Sequence, residues 1–346
     1  MRFYYFYLLI FSFLLLSCNK KKEIIDATEK DKPTSNFVLS FGSCNNQNLP
    51  NDMWTQILKN KPDIFVWGGD IIYADTHDMK FMKKNYEQQK NDTTYQNFIK
   101  QVPVLGTWDD HDYGLNDGGV AYDKKDSVQQ IFLDFFDVGI TDKRRTQQGI
   151  YYADKINLGK NSINIIVLDT RYFRTNLTKD STGLKRYTPN KYGKGSMLGE
   201  KQWDWLKNEL SNSNANFNII VSSIQFLSYE HGFESWGNMP HEVDKLKVII
   251  GNSKAKRVVI LSGDRHIAEI SKDTIKGINY PLIDITSSGL THSYTSFSGE
   301  PNKYRVSNIV ADKNFGLLHF NFKNNEILFE IRGGKNQIFE SLLQKY

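Results

Sequence analysis

The sequence predicts an α/β protein, on three observations. Short apolar runs alternate with segments of helical periodicity along most of the chain. Polar clusters follow those runs one after another, as expected when several strand ends converge on one pocket. The chain's 346 residues, 39% of them hydrophobic, suffice to bury the core of one large or two small domains.

The chain opens with an almost unbroken apolar run over 3–16, behind Met1 and Arg2. That run is too short for a comfortable membrane span and fits the h-region of a signal peptide. It ends at Leu15-Leu16-Ser17-Cys18, which resembles a bacterial lipobox, so residues 1–18 are expected to be a lipoprotein signal with Cys18 as the lipidated residue. A plain secretory signal or an N-terminal anchor helix is the alternative. Residues 19–35 are polar and charged, with Pro33 near the end, and read as a flexible tether. The folded domain is then expected over 36–346, exported and lipid-anchored to a bacterial membrane, on the periplasmic side or the cell surface. Arg2 and the tether's +1 leave +3 of the formal +5 for that domain, too little for a nucleic-acid-binding surface. A monomer is expected. With Cys18 acylated, Cys44 is the one remaining thiol, so the domain forms no internal disulfide.

A first strand is expected over 37–41, ending at Gly42-Ser43-Cys44. Residues 51–59 carry Met53, Trp54, Ile57 and Leu58 at helical spacing, and a second strand begins at Asp63, completing a β-α-β unit. That strand runs into Gly68-Gly69-Asp70-Ile71-Ile72-Tyr73, a tight loop presenting Asp70 and Tyr73 at the carboxyl edge of the sheet. Residues 78–100 are polar with helical period. A third strand over 102–107 leads into Trp108-Asp109-Asp110-His111-Asp112-Tyr113-Gly114, where three carboxylates and an imidazole repel at a cost unless cations or hydrogen bonds offset it. Further on, a helix is expected over 127–136 and neighbouring strands over 149–153 and 162–168, the second entering Asp169-Thr170-Arg171-Tyr172. The loop 175–196, rich in Gly, Lys and Tyr, has a length that usually lids or lines a site. A helix over 198–210, a strand over 218–223 followed by Gln225, and an aromatic loop over 229–240 come next. A helix over 241–250 and a strand over 257–261 then deliver Ser262-Gly263-Asp264-Arg265-His266. Residues 267–329 read as strand and turn.

These strand-end residues suit one chemistry. Hydrolysis of a phosphate ester at neutral pH needs a strong nucleophile, neutralisation of phosphoryl charge and a proton for the leaving group, and two metal ions close together supply the first two. Asp70 is the candidate bridge between them, with Tyr73 adding a phenolate; Asp70 as a turn or helix cap is the plainer reading. Cys44 is either a small buried hydrophobe or a thiolate ligand. Arg171 is either a bidentate clamp on phosphate or a structural partner of Asp169.

Gly69-Asp70-Ile71-Ile72-Tyr73, Trp108-Asp109-Asp110-His111-Asp112 and Gly263-Asp264-Arg265-His266, together with Phe41-Gly42-Ser43-Cys44 and Asp169-Thr170-Arg171-Tyr172, resemble the ordered blocks of the PhoD-like alkaline phosphatases and phosphodiesterases. That family is a branch of the calcineurin-like metallophosphoesterases. The resemblance spans about residues 40–292 and implies a four-layer α/β/β/α sandwich with two central mixed sheets. It also implies a phosphoesterase that hydrolyses phosphate mono- or diesters by a metal-bound hydroxide.

Carried over by position, the resemblance makes Cys44 a metal ligand. A thiolate with the Tyr73 phenolate suits ferric iron, while the second ion would be calcium or another divalent cation such as zinc, manganese or magnesium. Asp110 would ligate that second ion, and Asp264 and His266 match the paired-ligand element, with His266 on the iron-like side. His111 would donate a hydrogen bond or proton to the ester, its plainer reading being a surface histidine held by neighbouring acids. Gln225, His231, Trp236 and His292 would shape the substrate pocket. Two competitors follow. A phospholipase or phosphodiesterase acting on lipid headgroups is suggested by the anchor and the aromatic loop, and a catalytically inactive surface-binding lipoprotein on the same fold is the non-enzymatic reading.

Overall fold

In the computed structural model, which describes residues 36–346, alternate side chains of the central strands enter two different cores. The expected signal 1–18 with its Cys18, and the tether 19–35, lie outside the described residues. The chain runs β1 (Phe37–Gly42), α1 (Met53–Leu58), β2 (Ile64–Gly68), α2 (Met79–Lys90), α3 (Thr93–Ile99), β3 (Val104–Thr107), α4 (Asp110–Tyr113) and α5 (Lys125–Phe135). It continues with β4 (Tyr152–Leu158), β5 (Asn161–Val167), the small hairpin β6 (Thr178–Lys179) and β7 (Tyr187–Thr188), α6 (Gly199–Asn212), β8 (Phe217–Val221) and α7 (Pro240–Asn252). The last strands are β9 (Val258–Ser262), β10 (Ala268–Asp273), β11 (Leu282–Ser287), β12 (Asn314–Asn321), β13 (Glu326–Gly333) and β14 (Ile338–Lys345).

Two six-stranded mixed sheets result, ordered β14-β13-β12-β1-β2-β3 and β10-β11-β9-β8-β5-β4. Their facing sides share one core: Leu39, Phe41 and Val66 from the first sheet pack with Ile165, Val167, Ile219, Val221, Val259 and Leu261 from the second. Because side chains alternate along a strand, the intervening residues face outward. Phe65 and Trp67 meet Trp54 of α1, Tyr86 of α2, Phe98 of α3 and Phe132 of α5. On the far side Ile166, Ile220, Val258 and Ile260 meet Trp203 and Leu206 of α6 and Leu246 and Ile250 of α7. The layers are therefore α/β/β/α, as the family resemblance implied.

Three local differences have physical causes. The helical stretch over 78–100 is two helices, because Asn91 leaves the helical region and Asp92 caps α3, its carboxylate accepting the Tyr95 N–H at 2.8 Å. The loop 175–196 contains the hairpin β6–β7, too short to show a period. The final strand β14 lies on a sheet edge and exposes half its residues, so it lacks a continuous apolar run.

Strands β1, β2 and β3 are mutually parallel, and so are β5, β8, β9 and β11. Each set sends its carboxyl ends to one edge. The two edges touch at Gly263, where a Cβ would lie 2.4 Å from Ser43 Oγ and 2.8 Å from the Gly68 carbonyl oxygen. Only glycine lets the second sheet's loop come this close.

Candidate metal centre

The residues that follow β1, β2 and β9 hold an unusual backbone. Cys44, Asp70, Asp264 and His266 have φ of 58°, 50°, 70° and 53°, a left-handed conformation that costs a non-glycine residue about 1–3 kcal/mol. Local bonds hold it in place. The Asn45 N–H donates to the Asp70 carbonyl at 2.8 Å, the Leu290 N–H to the Ser43 carbonyl at 3.1 Å, and the His266 N–H to Ser288 Oγ at 2.8 Å. Asp112, fully buried, stitches two loops by accepting the Ile71 N–H at 2.9 Å and the Asp109 N–H at 2.6 Å.

The turned backbones bring four donors together. The Cys44 thiol donates to Asp70 Oδ2 at 3.2 Å, the Tyr73 hydroxyl reaches the same oxygen at 3.4 Å, and Tyr73 Oη lies 3.0 Å from His266 Nε2. Burial pushes the Cys44 thiol up to about 12 and carries Asp70 and Tyr73 well above their ordinary values, while lowering His266. Thiol, phenol, carboxyl and imidazole thus converge in a setting where, without a cation, the first three keep their protons and the imidazole stays neutral.

A second group shares Asp70. Donor atoms of Asp70, Asp110 and His111 lie within 4.8 Å of one another, as do those of Asp109, Asp110 and Asp264. Burial opposes charge on Asp110, but Arg171, His111, the Asp117 N–H and the Asn116 amide outweigh it and hold the carboxyl well below the usual range. Asp109 is pushed up by burial despite Arg171, and Asp264 is pushed up to about 7 by desolvation, with Asp110 adding to it. The outer oxygen of Asp109, Oδ2, is buried and has no hydrogen-bond partner. Crowded carboxyl groups with an orphaned oxygen fit a hard, oxygen-preferring cation, and the sulfur-containing set beside them fits a softer or more highly charged one. The residues present suit two ions bridged by Asp70.

His111 faces this centre. Its Nδ1 lies 2.6 Å from Asp75 Oδ2, and its ring stacks on Tyr73 with centroids 4.1 Å apart. Burial opposes protonation, but Asp70, Asp75 and Asp110 outweigh it and raise the imidazole to about 10. A cavity of about 300 Å³ opens over Asp110, His111, Asp264 and His266, with Arg186 and Arg265 in its wall.

Four expected roles need correction. Arg171 is fully buried, donating from Nε to Asp109 Oδ1 at 2.7 Å and from Nη1 to Glu234 Oε2 at 2.6 Å, so its guanidinium braces the Asp109 carboxyl and is not free to clamp phosphate. Asp169 is not its ionic partner either, since it accepts the Trp108 indole N–H and the backbone N–H groups of Arg171 and Tyr172. Gln225 is buried under the second sheet, its amide donating to Glu269 and Thr286 at 2.9 Å each. Trp236 is core, edge-on to Trp203 and Phe226 with its indole N–H on Ser222. His231 has both ring nitrogens engaged, with the Phe233 N–H and the Ser228 carbonyl, and burial lowers it to about 3. His292 does stand beside the centre, edge-on to His266 at 4.5 Å and Tyr73 at 5.1 Å.

Asp75, Asp109, Arg186 and Arg265 are the site residues that sequence reasoning passed over. Asp75 and Asp109 had a visible signal, since Asp109 lies within a motif already singled out and Asp75 stands two residues beyond another. Arg186 had none, because only the hairpin geometry brings it over the centre.

Comparison with known proteins gives a consistent picture. The family model of the PhoD-like phosphatases matches residues 39–274. Alkaline phosphatase D of Bacillus subtilis (strain 168) is 22% identical over 326 aligned positions, covering 78% of this chain and 54% of that relative. The chain thus spans about half the length of the curated relative it matches. A solved structure described as "Structure of PhoD" superposes with a TM-score of 0.70 at 16% identity, over 91% of this chain and 69% of that one. With the family model covering more than half of its length, the chain belongs to the PhoD-like phosphatase family.

Proposed function

We propose that the chain is a metal-dependent phosphoesterase that hydrolyses phosphate mono- or diesters with a metal-activated water. The observation that carries this reading is Asp70, shared between the Cys44–His266 group and the Asp110–His111 group. Ferric iron fits Cys44, Tyr73 and His266, and calcium or another oxygen-preferring divalent cation fits Asp109, Asp110 and Asp264. Bound at these positions, the ions would supply nucleophile activation and neutralise phosphoryl charge. The chain's own residues do the rest. Asp75, a carboxylate that can only accept, holds the Nδ1–H of His111 and leaves Nε2–H for the ester. Tyr73 packs against that ring and fixes its plane.

Export and lipid anchoring through Cys18 belong to the same proposal, supported by the apolar run over 3–16 and the Ser17-Cys18 pair. So does a surface that does not bind nucleic acid, supported by the near-neutral charge of residues 36–346. The aromatic loop that favoured lipid headgroups loses that support, because Trp236 is buried core.

A substrate panel tests the reading, with p-nitrophenyl phosphate, bis(p-nitrophenyl) phosphate and a short-chain phosphatidylcholine offered to the metal-replete protein. Turnover of the first or second, lost in His266→Ala, is expected. No turnover of any ester by protein with its metals bound would favour the non-catalytic alternative.

A further inference from the structure

We infer that Arg265 is the guanidinium that binds the phosphoryl oxygens of the substrate, with Glu300 as its positioning residue; this rests on the phosphoesterase reading above. Phosphoryl transfer calls for a fixed cationic fork, and the arginine first expected to provide it, Arg171, is buried between Asp109 and Glu234. Arg265 sits between Asp264 and His266, whose left-handed backbones set the course of this short loop. Its side chain lines the same cavity as Asp110, His111, Asp264 and His266.

Arg265 is braced in advance of any ligand. Nη2 meets Glu300 Oε1 at 2.6 Å, and the guanidinium carbon lies 4.1 Å above the Phe233 ring, stacked on its face. Only 10% of the side chain is exposed, yet Nε–H has no hydrogen-bond partner. An orphan donor on a buried cation costs free energy unless a ligand accepts from it. Glu300 fixes one edge of the fork while the buried Nε–H stays unpaired, so a phosphoryl oxygen that reached it from the cavity would satisfy the orphan.

Arg186 also lines the cavity, but it differs in kind. It comes from the hairpin, is nearly half exposed at 46%, pairs with Asp117 and donates to Asn116. An exposed paired arginine is less preorganised than one locked by a carboxylate and an aromatic face.

Inorganic phosphate is the probe, read as competitive inhibition of p-nitrophenyl phosphate hydrolysis and as direct binding by calorimetry to the metal-replete protein. In Arg265→Gln the phosphate Ki and Kd and the substrate KM should each rise on the order of tenfold to a hundredfold. Arg265→Lys should recover part of that loss, and Glu300→Gln should shift Ki by a smaller factor. Arg186→Gln should shift Ki less than Arg265→Gln. A Ki and Kd within twofold of wild type in Arg265→Gln, or a larger shift in Arg186→Gln, would overturn the assignment. Should the glutamine variant not fold, Arg265→Lys decides it, with unchanged phosphate binding counting against it. If wild-type protein with its metals neither binds phosphate nor hydrolyses an ester, the phosphoesterase reading fails; activity with an indifferent Arg265 defeats only this inference.

Discussion

His111 and Asp75 form a hydrogen-bonded pair at 2.6 Å, with Asp75 in a left-handed turn at φ 43° two residues beyond Tyr73. The His111 carbonyl in turn accepts the N–H groups of Ala74 and Asp75, at 3.3 and 3.4 Å, so the two loops hold each other's active groups. Asp75→Asn removes the charge that fixes the imidazole. A fall in kcat of about 10–100-fold is expected, the range typical of supporting carboxylates. KM should change little, and steady-state kinetics at fixed metal content checks the split.

Arg171 makes a prediction of a different kind. Its guanidinium joins Asp109 to Glu234, and Glu234 also meets Arg174 at 2.7 Å, all buried. Arg171→Met strands Asp109 without its cation, so a loss of about 3–5 kcal/mol is expected, as for breaking a buried pair. Urea denaturation measures it. A stable variant altered only in KM would restore Arg171 as a phosphate clamp.

The fold and the centre were unequally legible in the sequence. Strand ends show as apolar runs that meet polar clusters, which made Asp70 a candidate against its plainer reading as a cap, while the roles expected of Asp110 and Asp264 came from the resemblance of their blocks to the PhoD-like family. What such a pattern does not convey is which side of a loop a residue takes. Arg171, Gln225, His231 and Trp236 lie in blocks adjoining strand ends, yet all four turn inward, Arg171 onto Asp109 and Glu234, Gln225 onto Glu269 and Thr286, His231 onto its own loop and Trp236 onto Trp203 of α6. Arg265 occupies a motif already in view, but its role depends on Glu300 and Phe233, each more than thirty residues away in sequence. Such pairings have no local signature.

Away from the centre, Asp284 predicts a pH effect. It is buried, accepts the N–H groups of Phe226 and Leu227 at 2.9 and 2.8 Å and the Ser262 hydroxyl at 2.7 Å, and burial pushes it up to about 6. The folded state then holds this proton more tightly than the unfolded chain. Its stabilising contribution is complete below about pH 4 and is lost as pH rises through 6, roughly 3 kcal/mol in all. Asp284→Asn keeps one acceptor oxygen for the two backbone N–H groups and removes the titration. The stability difference between the two proteins should therefore change between pH 4 and pH 7 in urea melts, with the variant gaining on the wild type.

Colour reports on the sulfur-containing side. Ferric iron held by Cys44 and Tyr73 would give visible charge-transfer absorption, so purified protein should be coloured. Tyr73→Phe should shift that band and Cys44→Ser should weaken it. A colourless, fully active zinc protein would rule out iron.

Whether Asp70 serves two ions at once is measured most directly by the metal content of purified wild type and Asp70→Asn. Elemental analysis should find at least two ions per wild-type chain and depletion of both kinds in the variant, with the fold retained by circular dichroism. Full occupancy of both sites in Asp70→Asn, or loss of one kind alone, would contradict the bridge.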